Sequence, residues 1–239
     1  MRFGKIEYLN LLVFDVFIKQ YKMSSSPKSI FFLRKTYPSK LNKDFLFRRI
    51  DAGFISSVAG EKSHRIFKAC DVGIIAHKEV WSVLAILSDS GDDYQSATSN
   101  ALCKILHLNG QVMIGDRALK YYYLHKDSCS FIDMANLWYQ KTHLPFTFGR
   151  MCMNAYVDFY RNLMLSFVRK LGRGKSRFKG IKIPHYIIMR SVKHIGIDKS
   201  FALAYLRNIY YTLGSKEKLG LLRFYRALRL QRIKLPQRF

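Results

Sequence analysis

Polar and apolar positions alternate over residues 1–10, with Phe3, Lys5 and Glu7 on one side and Gly4, Ile6 and Tyr8 on the other. A period of two predicts a strand, and this one delivers the amide of Asn10 at its carboxyl end. Residues 11–21 carry Phe14, Phe17, Ile18 and Tyr21 at helical spacing. Residues 24–27 read as a turn and 38–49 as a second helix. Residues 51–57 read as a turn and a short strand ending on Ser56 and Ser57. Two more apolar strands follow at 71–77 and 80–87, the second with Ser82 inside it.

Residues 88–93 form a polar linker. Thr98 or Ser99 then caps a helix whose apolar positions are Ala101, Leu102, Ile105 and Leu106. Residues 111–116 are a strand that breaks at Gly115-Asp116 into a helix over 118–124, with Asp116 as its cap. Residues 132–140 are helical and 144–148 extended. Helices are expected near 155–168, 184–193, 198–213 (capped by Asp198) and 218–232. The order βαβββ, linker, αβααβ, helices predicts an α/β protein of two lobes. Residues 1–87 and 148–239 form lobe one, and 88–147 form a smaller inserted lobe two.

Composition excludes disorder: 49% of the 239 residues are hydrophobic and 15% aromatic. The formal charge of +25 raises a nucleic-acid or membrane-surface partner. Seven basic residues and no acids fall within 169–182, and six more with no acids within 223–239. No RNA-binding aromatic signature, zinc finger or basic zipper accompanies them, so a dedicated nucleic-acid role is not expected. A basic surface would still steer small dianions. Cys70, Cys103, Cys129 and Cys152 are too widely spaced for a zinc site or a disulfide framework, and read as free thiols. Glu7, Asn10 and Asp15 interrupt the early apolar stretch, and no run reaches the roughly 18 apolar residues of a membrane span. A cytoplasmic protein without membrane contact is expected.

The chain carries no dinucleotide fingerprint, Walker A loop, zinc-protease pair or nucleophile elbow. The candidates are instead polar residues at strand ends and helix starts: Asn10, Ser56, Ser57, Ser82, Thr98, Ser99 and Asp116. Each has a local structural explanation as a cap or a strand end. Together they describe a cleft of neutral donors and helix N-termini, which suits carboxylates.

At these residues the chain resembles the chorismate dehydratase family of the futalosine menaquinone pathway, in its Helicobacter-like form. The matching pieces are Gly4-Lys5-Ile6-x-Tyr8-Leu9-Asn10, Asp51-Ala52-Gly53-Phe54-Ile55-Ser56-Ser57, Ser82-Val83-Leu84, Thr98-Ser99-x-x-Leu102-x-Lys104-Ile105-Leu106, Ile114-Gly115-Asp116-x-Ala118-Leu119 and Leu137-Trp138-Tyr139-x-Lys141-x-x-Leu144-Pro145-Phe146. The resemblance spans nearly the whole chain. Val13 stands where the wider family has proline, and Ala59-Gly60 where Glu-Tyr is common. The resemblance implies a type II periplasmic-binding-protein-like fold, with a cleft between two lobes. It also implies a lyase that dehydrates chorismate to 3-[(1-carboxyvinyl)oxy]benzoate without metal or organic cofactor. Asn10 would be catalytic, and Ser56, Ser57, Ser82, Thr98, Ser99, Gly115 and Asp116 would bind the dianion.

An amide cannot take a proton at pH 7. The expected base is therefore the substrate's own enolpyruvyl carboxylate, with Asp116 as the rival. Two other readings stay open. One is the 1,4-dihydroxy-6-naphthoate synthase of the same pathway and fold. The other is a non-catalytic binder of small anions or nucleic acid. Oligomeric state is not legible.

Overall fold

A computed structural model describes residues 1–62, 67–88, 90–172 and 180–233. The basic segments 169–182 and 223–239 therefore lie partly outside the described residues. The elements are β1 (Phe3–Ile6), α1 (Leu12–Gln20), α2 (Ser25–Leu33), β2 (Arg34–Thr36), α3 (Pro38–Leu46), β3 (Ala52–Ser56) and β4 (Lys68–Ala76). Then come β5 (Val83–Ile86), α4 (Ala97–Ile105), β6 (Gln111–Ile114), α5 (Gly115–His125), β7 (Phe131–Asp133), α6 (Met134–Thr142) and β8 (Phe146–Met153). The chain ends with α7 (Val157–Leu171), α8 (His185–Ile195), α9 (Lys199–Asn208), β9 (Ile209–Thr212) and α10 (Ser215–Leu230).

A six-stranded mixed sheet runs β2-β1-β3-β8-β4-β9, and a three-stranded sheet runs β6-β5-β7. β1 lies parallel to β2 and β3, while β8 is antiparallel to β3 and β4. Gly4 faces Gly53 across β1 and β3, where a Cβ on Gly53 would stand 2.5 Å from the Gly4 carbonyl. Only glycine allows that approach. Against this sheet, Phe3, Phe14, Phe31, Phe54, Tyr160 and Phe167 form an aromatic core, all buried. α1 presents Phe14, Phe17 and Ile18 to it, as their spacing predicts. Asp15, on the same helix, pairs with the buried Lys5 of β1.

Several elements differ from the sequence reading, each for a physical reason. Residues 24–27 do not form a turn: α2 starts at Ser25, with Pro27 in its first turn, where the missing N–H costs no helical bond. The helix expected over 198–213 stops at Asn208, because Ile-Tyr-Tyr-Thr at 209–212 is β-branched and aromatic and pairs with β4. The cap of α4 is Ser96, whose Oγ accepts from Ser99 N at 3.1 Å, so Thr98 and Ser99 lie inside the first turn. Asp116 is also within a first turn, not a cap, because Ile114 precedes α5. Residues 131–133 are strand, not helix, and Asp133 caps α6. Asp198 stands at the cap of α9 but spends its carboxylate on Tyr123 Oη at 2.5 Å.

Strand pairing assigns the segments to two sheets. β5, placed within residues 1–87, belongs to the small sheet, and β8 joins the large sheet from Phe146. The chain thus leaves the large sheet after Ala76 and returns to it just before Phe146. Among the described residues no helix is long and apolar enough to cross a membrane.

Candidate active site

Asn10 sits in a 3-10 turn, Leu9–Leu11, between β1 and α1. Its carbonyl accepts from Tyr211 Oη at 2.5 Å. Its side-chain Oδ1 is buried and has no hydrogen-bond partner among the described residues. Asn10 borders a cavity of about 50 Å³ that lies where the two sheets meet. Ser56, Ser82, Ser96, Ser99 and Gly115 also line it, with Ile6, Tyr8 and Phe148 as apolar walls, and among the described residues no charged side chain does.

Each polar group is fixed by a neighbour. Ser56 ends β3; its Oγ accepts from Asn42 Nδ2 at 2.7 Å and its N–H donates to Asn42 Oδ1 at 3.0 Å. Ser82 Oγ accepts from Tyr205 Oη at 2.9 Å, and Ser82 O accepts from Gly115 N at 2.9 Å. Ser99 Oγ accepts from Ser96 Oγ at 2.9 Å. Gly115 has φ +67°, and a Cβ there would stand 2.7 Å from the Tyr8 ring. The β6–α5 junction therefore needs glycine both for its backbone and for the wall that Tyr8 forms.

Just before Ser82, Trp81 has φ +62°, a region that bulky residues rarely occupy. Asp133 over-determines it. One carboxylate oxygen accepts from Val80 N at 2.8 Å and Trp81 N at 2.6 Å, and the other from Ala135 N and Asn136 N at 3.0 Å each. Burial nonetheless pushes the Asp133 carboxyl up to about 6.

Of the eight expected site residues, Asn10, Ser56, Ser82, Ser99 and Gly115 come together at the cavity. Ser57 does not: it is fully buried, and its hydroxyl donates to Thr147 O at 2.5 Å. Thr98 does not either, since its Oγ1 accepts from Val58 N at 3.1 Å. Ser57 ties the end of β3 to β8 within the large sheet, and Thr98 ties α4 to the segment that follows β3. Ser57→Ala is expected to cost about 1 kcal/mol of stability and leave the KM for substrate unchanged, measured by thermal unfolding and steady-state kinetics.

Asp116 lies on the far side of Tyr8, in a separate groove of about 740 Å³ flanked by Lys5, Lys19, Lys35, Arg190 and Lys193. Its Oδ1 accepts from Leu9 N at 2.9 Å, so it tethers the turn that carries Asn10. Burial raises its pKa to about 6. Among the described residues, no three His, Cys, Asp or Glu side chains group as a metal site would need.

The sequence reading missed Asn42, Ser96, Asp133, Tyr205 and Tyr211. Asn42 shares the buried face of α3 with Leu41 and Phe45, and a polar residue on an apolar stripe is a readable signal. The two tyrosines carry none, since only the tertiary fold brings them against Ser82 and Asn10. The two departures from the family pattern stay clear of the cavity lining. Val13 is a buried core residue at the second position of α1, in the first turn, where the fixed φ of proline is also compatible with a helix. Ala59 and Gly60 open a 3-10 turn, Ala59–Lys62.

Residues 107–229 match the family model described as menaquinone biosynthesis. The chain is 40% identical over 229 residues to the chorismate dehydratase of Campylobacter jejuni subsp. jejuni serotype O:23/36 (strain 81-176), covering 95% of this chain and 97% of that protein. Among solved structures, a protein of Archaeoglobus fulgidus superposes with a TM-score of 0.71 at 13% identity, covering 98% of both chains. The alkanesulfonate-binding protein of Xanthomonas axonopodis pv. citri, bound to MOPS, superposes at 0.60 and 12% identity, covering 100% of this chain and 94% of that one. The periplasmic aliphatic sulphonate binding protein of Escherichia coli gives 0.54 at 11% identity, covering 99% and 92%. These likenesses establish the periplasmic-binding-protein-like fold that the sequence reading expected. With this fold and this breadth of identity, the chain belongs to the menaquinone-biosynthesis family that includes chorismate dehydratase.

Proposed function

We propose that this protein removes water from chorismate, giving 3-[(1-carboxyvinyl)oxy]benzoate, the first step of the futalosine route to menaquinone. The observation that carries the site assignment is the buried Asn10 amide oxygen, unpartnered among the described residues, beside four serine hydroxyls in a cavity that no charged side chain lines. Hydroxyls and the N-termini of α4 and α5 are suitable donors to a dicarboxylate.

The reaction takes the ring proton beside the ether oxygen and expels the adjacent hydroxyl. That proton is vinylogous to the ring carboxylate. Donors to the carboxylate stabilise the dienolate as it forms, and loss of hydroxide then makes the ring aromatic. The substrate's enolpyruvyl carboxylate takes the proton and passes it to the departing hydroxide, so water is the only by-product. Asn10 positions the leaving hydroxyl or that carboxylate through its amide.

A cavity of about 50 Å³ is smaller than the roughly 300–1,000 Å³ of ordinary ligand sites. Entry therefore requires the lobes to part. We take lobe two as residues 83–142, with 77–82 and 143–145 as the crossings. The contacts that must break include Tyr8 Oη to Gln95 Oε1 at 2.7 Å, Ser39 N to Gln95 O at 2.9 Å and the edge-on Tyr37–Tyr94 pair. The basic groove beside Tyr8 attracts the dianion toward that opening. A cytoplasmic location fits a substrate made in the cell interior.

Asp116 is a tether in this reading, not the base. Asp116→Asn keeps an oxygen for Leu9 N and is expected to retain most of wild-type turnover. A base at about 6 would make kcat/KM fall as pH drops below 6. The substrate-carboxylate mechanism instead holds kcat/KM flat until about pH 4, where carboxylates protonate. The overall reading is tested by incubating purified protein with chorismate. Stoichiometric appearance of the aromatic enol ether supports it; unchanged chorismate contradicts it.

A further inference from the structure

Three cavity serines each have a donor already placed on their oxygen: Asn42 Nδ2 on Ser56, Tyr205 Oη on Ser82 and Ser96 Oγ on Ser99. A serine hydroxyl has two lone pairs and one proton. One lone pair of each is taken, and no acceptor for any of the three protons is found among the described residues. The free proton of each hydroxyl is thus left to point into the cavity.

Tyr205 is the clearest case. It is 1% exposed, and burial keeps its phenol protonated. Its hydroxyl reaches across from α9, 123 residues away in the chain, to Ser82. Its ring fills core space that phenylalanine would fill equally well.

We propose that Tyr205 is a positioning residue that commits Ser82 to donate, and that with Asn42 and Ser96 it makes the cavity a receptor of three O–H donors for carboxylate oxygens. This rests on the cavity being the chorismate site. A receptor of this polarity has donors but no charged acceptor, so it selects carboxylates over ammonium or amide groups of the same shape. Without Tyr205 Oη, Ser82 is free to rotate and its donor is no longer held ready.

The test is a cycle of Tyr205→Phe, Ser82→Ala and the double variant. It is read by chorismate kinetics and by equilibrium titration with the product, 3-[(1-carboxyvinyl)oxy]benzoate. Tyr205→Phe is expected to raise KM and weaken product binding about tenfold, with kcat changed less than about threefold. The double variant should be no worse than Ser82→Ala alone, and unfolding temperatures should stay within a few degrees. A purely structural Tyr205 would instead lower the unfolding temperature and add its effect to that of Ser82→Ala. Wild-type turnover with Tyr205→Phe indistinguishable from it overturns this proposal alone. Product binding weakened by Tyr205→Phe in a protein that does not turn over chorismate upholds it and overturns the functional reading. A wild-type protein that neither binds product nor consumes chorismate overturns both.

Discussion

Asn10→Ala and Asn10→Asp are each expected to lower kcat for chorismate by about two to four orders of magnitude, with the fold intact. Loss of one preorganised group at a developing charge costs about 10²–10³ in rate. Alanine removes both the donor and the acceptor of the amide. Aspartate keeps the shape but places a carboxylate in a cavity lined by no cation, against a substrate that is itself a dianion. The fold should tolerate both changes. The Asn10 side chain makes no hydrogen bond with the described residues, and the bond from Tyr211 goes to the backbone carbonyl, which either variant keeps. Steady-state kinetics with a thermal melt of each variant decides it. Near-normal turnover in both variants would remove Asn10 from the mechanism.

Asp133→Ala should give the largest loss of stability, about 3–5 kcal/mol, or roughly 10 °C in Tm. Four backbone N–H groups lose their acceptor at once: two at the start of α6 and two in the Val80–Trp81 turn. The left-handed Trp81 backbone then loses the acceptor that fixes it and is held only through its ring, stacked on Tyr122 and Phe201, so Ser82 shifts with it. Turnover should fall with stability even at temperatures where the variant is folded. Asp133→Asn should be intermediate, because its amide offers one oxygen and turns an NH₂ toward one of the two N–H pairs. Its pH dependence is distinctive. The folded carboxyl, raised to about 6, binds a proton more tightly than the unfolded one at about 3.9. Between those values the native state holds more protons, so this group's contribution to stability falls as pH rises from about 4 to 6. Asp133→Asn should lose that slope. Thermal unfolding of the three proteins from pH 4 to 8 measures all of this, and an Asp133→Ala protein as stable as wild type contradicts it.

What the sequence reveals about the site depends on how local each signal is. Asn10, Ser56 and Gly115 were legible because strand period and glycine breaks are properties of a few adjacent residues, and those places are where α/β folds put their ligands. Ser57 and Thr98 are the same residue types in the same local settings. They lie off the cavity lining because side-chain direction alternates along a strand and turns by about 100° per helical residue, so one step moves a hydroxyl from the cavity into the core. Ser82 and Ser99 were found, but not the groups that orient them. Tyr205 and Tyr211 straddle the α9–β9 junction, and the sequence reading ran one helix through it. With β9 taken for helix, nothing placed Tyr211 beside Asn10. Likewise, extending the helix through 132 hid Asp133 as a cap, and with it the support of the Trp81 turn.

In the proposed reaction the small uncharged cavity at Asn10, and not the basic groove beside Asp116, holds the substrate. A crystal structure of Asn10→Ala protein soaked with chorismate tests it most directly. The expected density shows a carboxylate within hydrogen-bond reach of the Ser56, Ser82 and Ser99 hydroxyls, and the ring hydroxyl at the position the Asn10 amide vacates. Chorismate seated instead in the groove among Lys5, Lys35, Asp116 and Arg190 would contradict it.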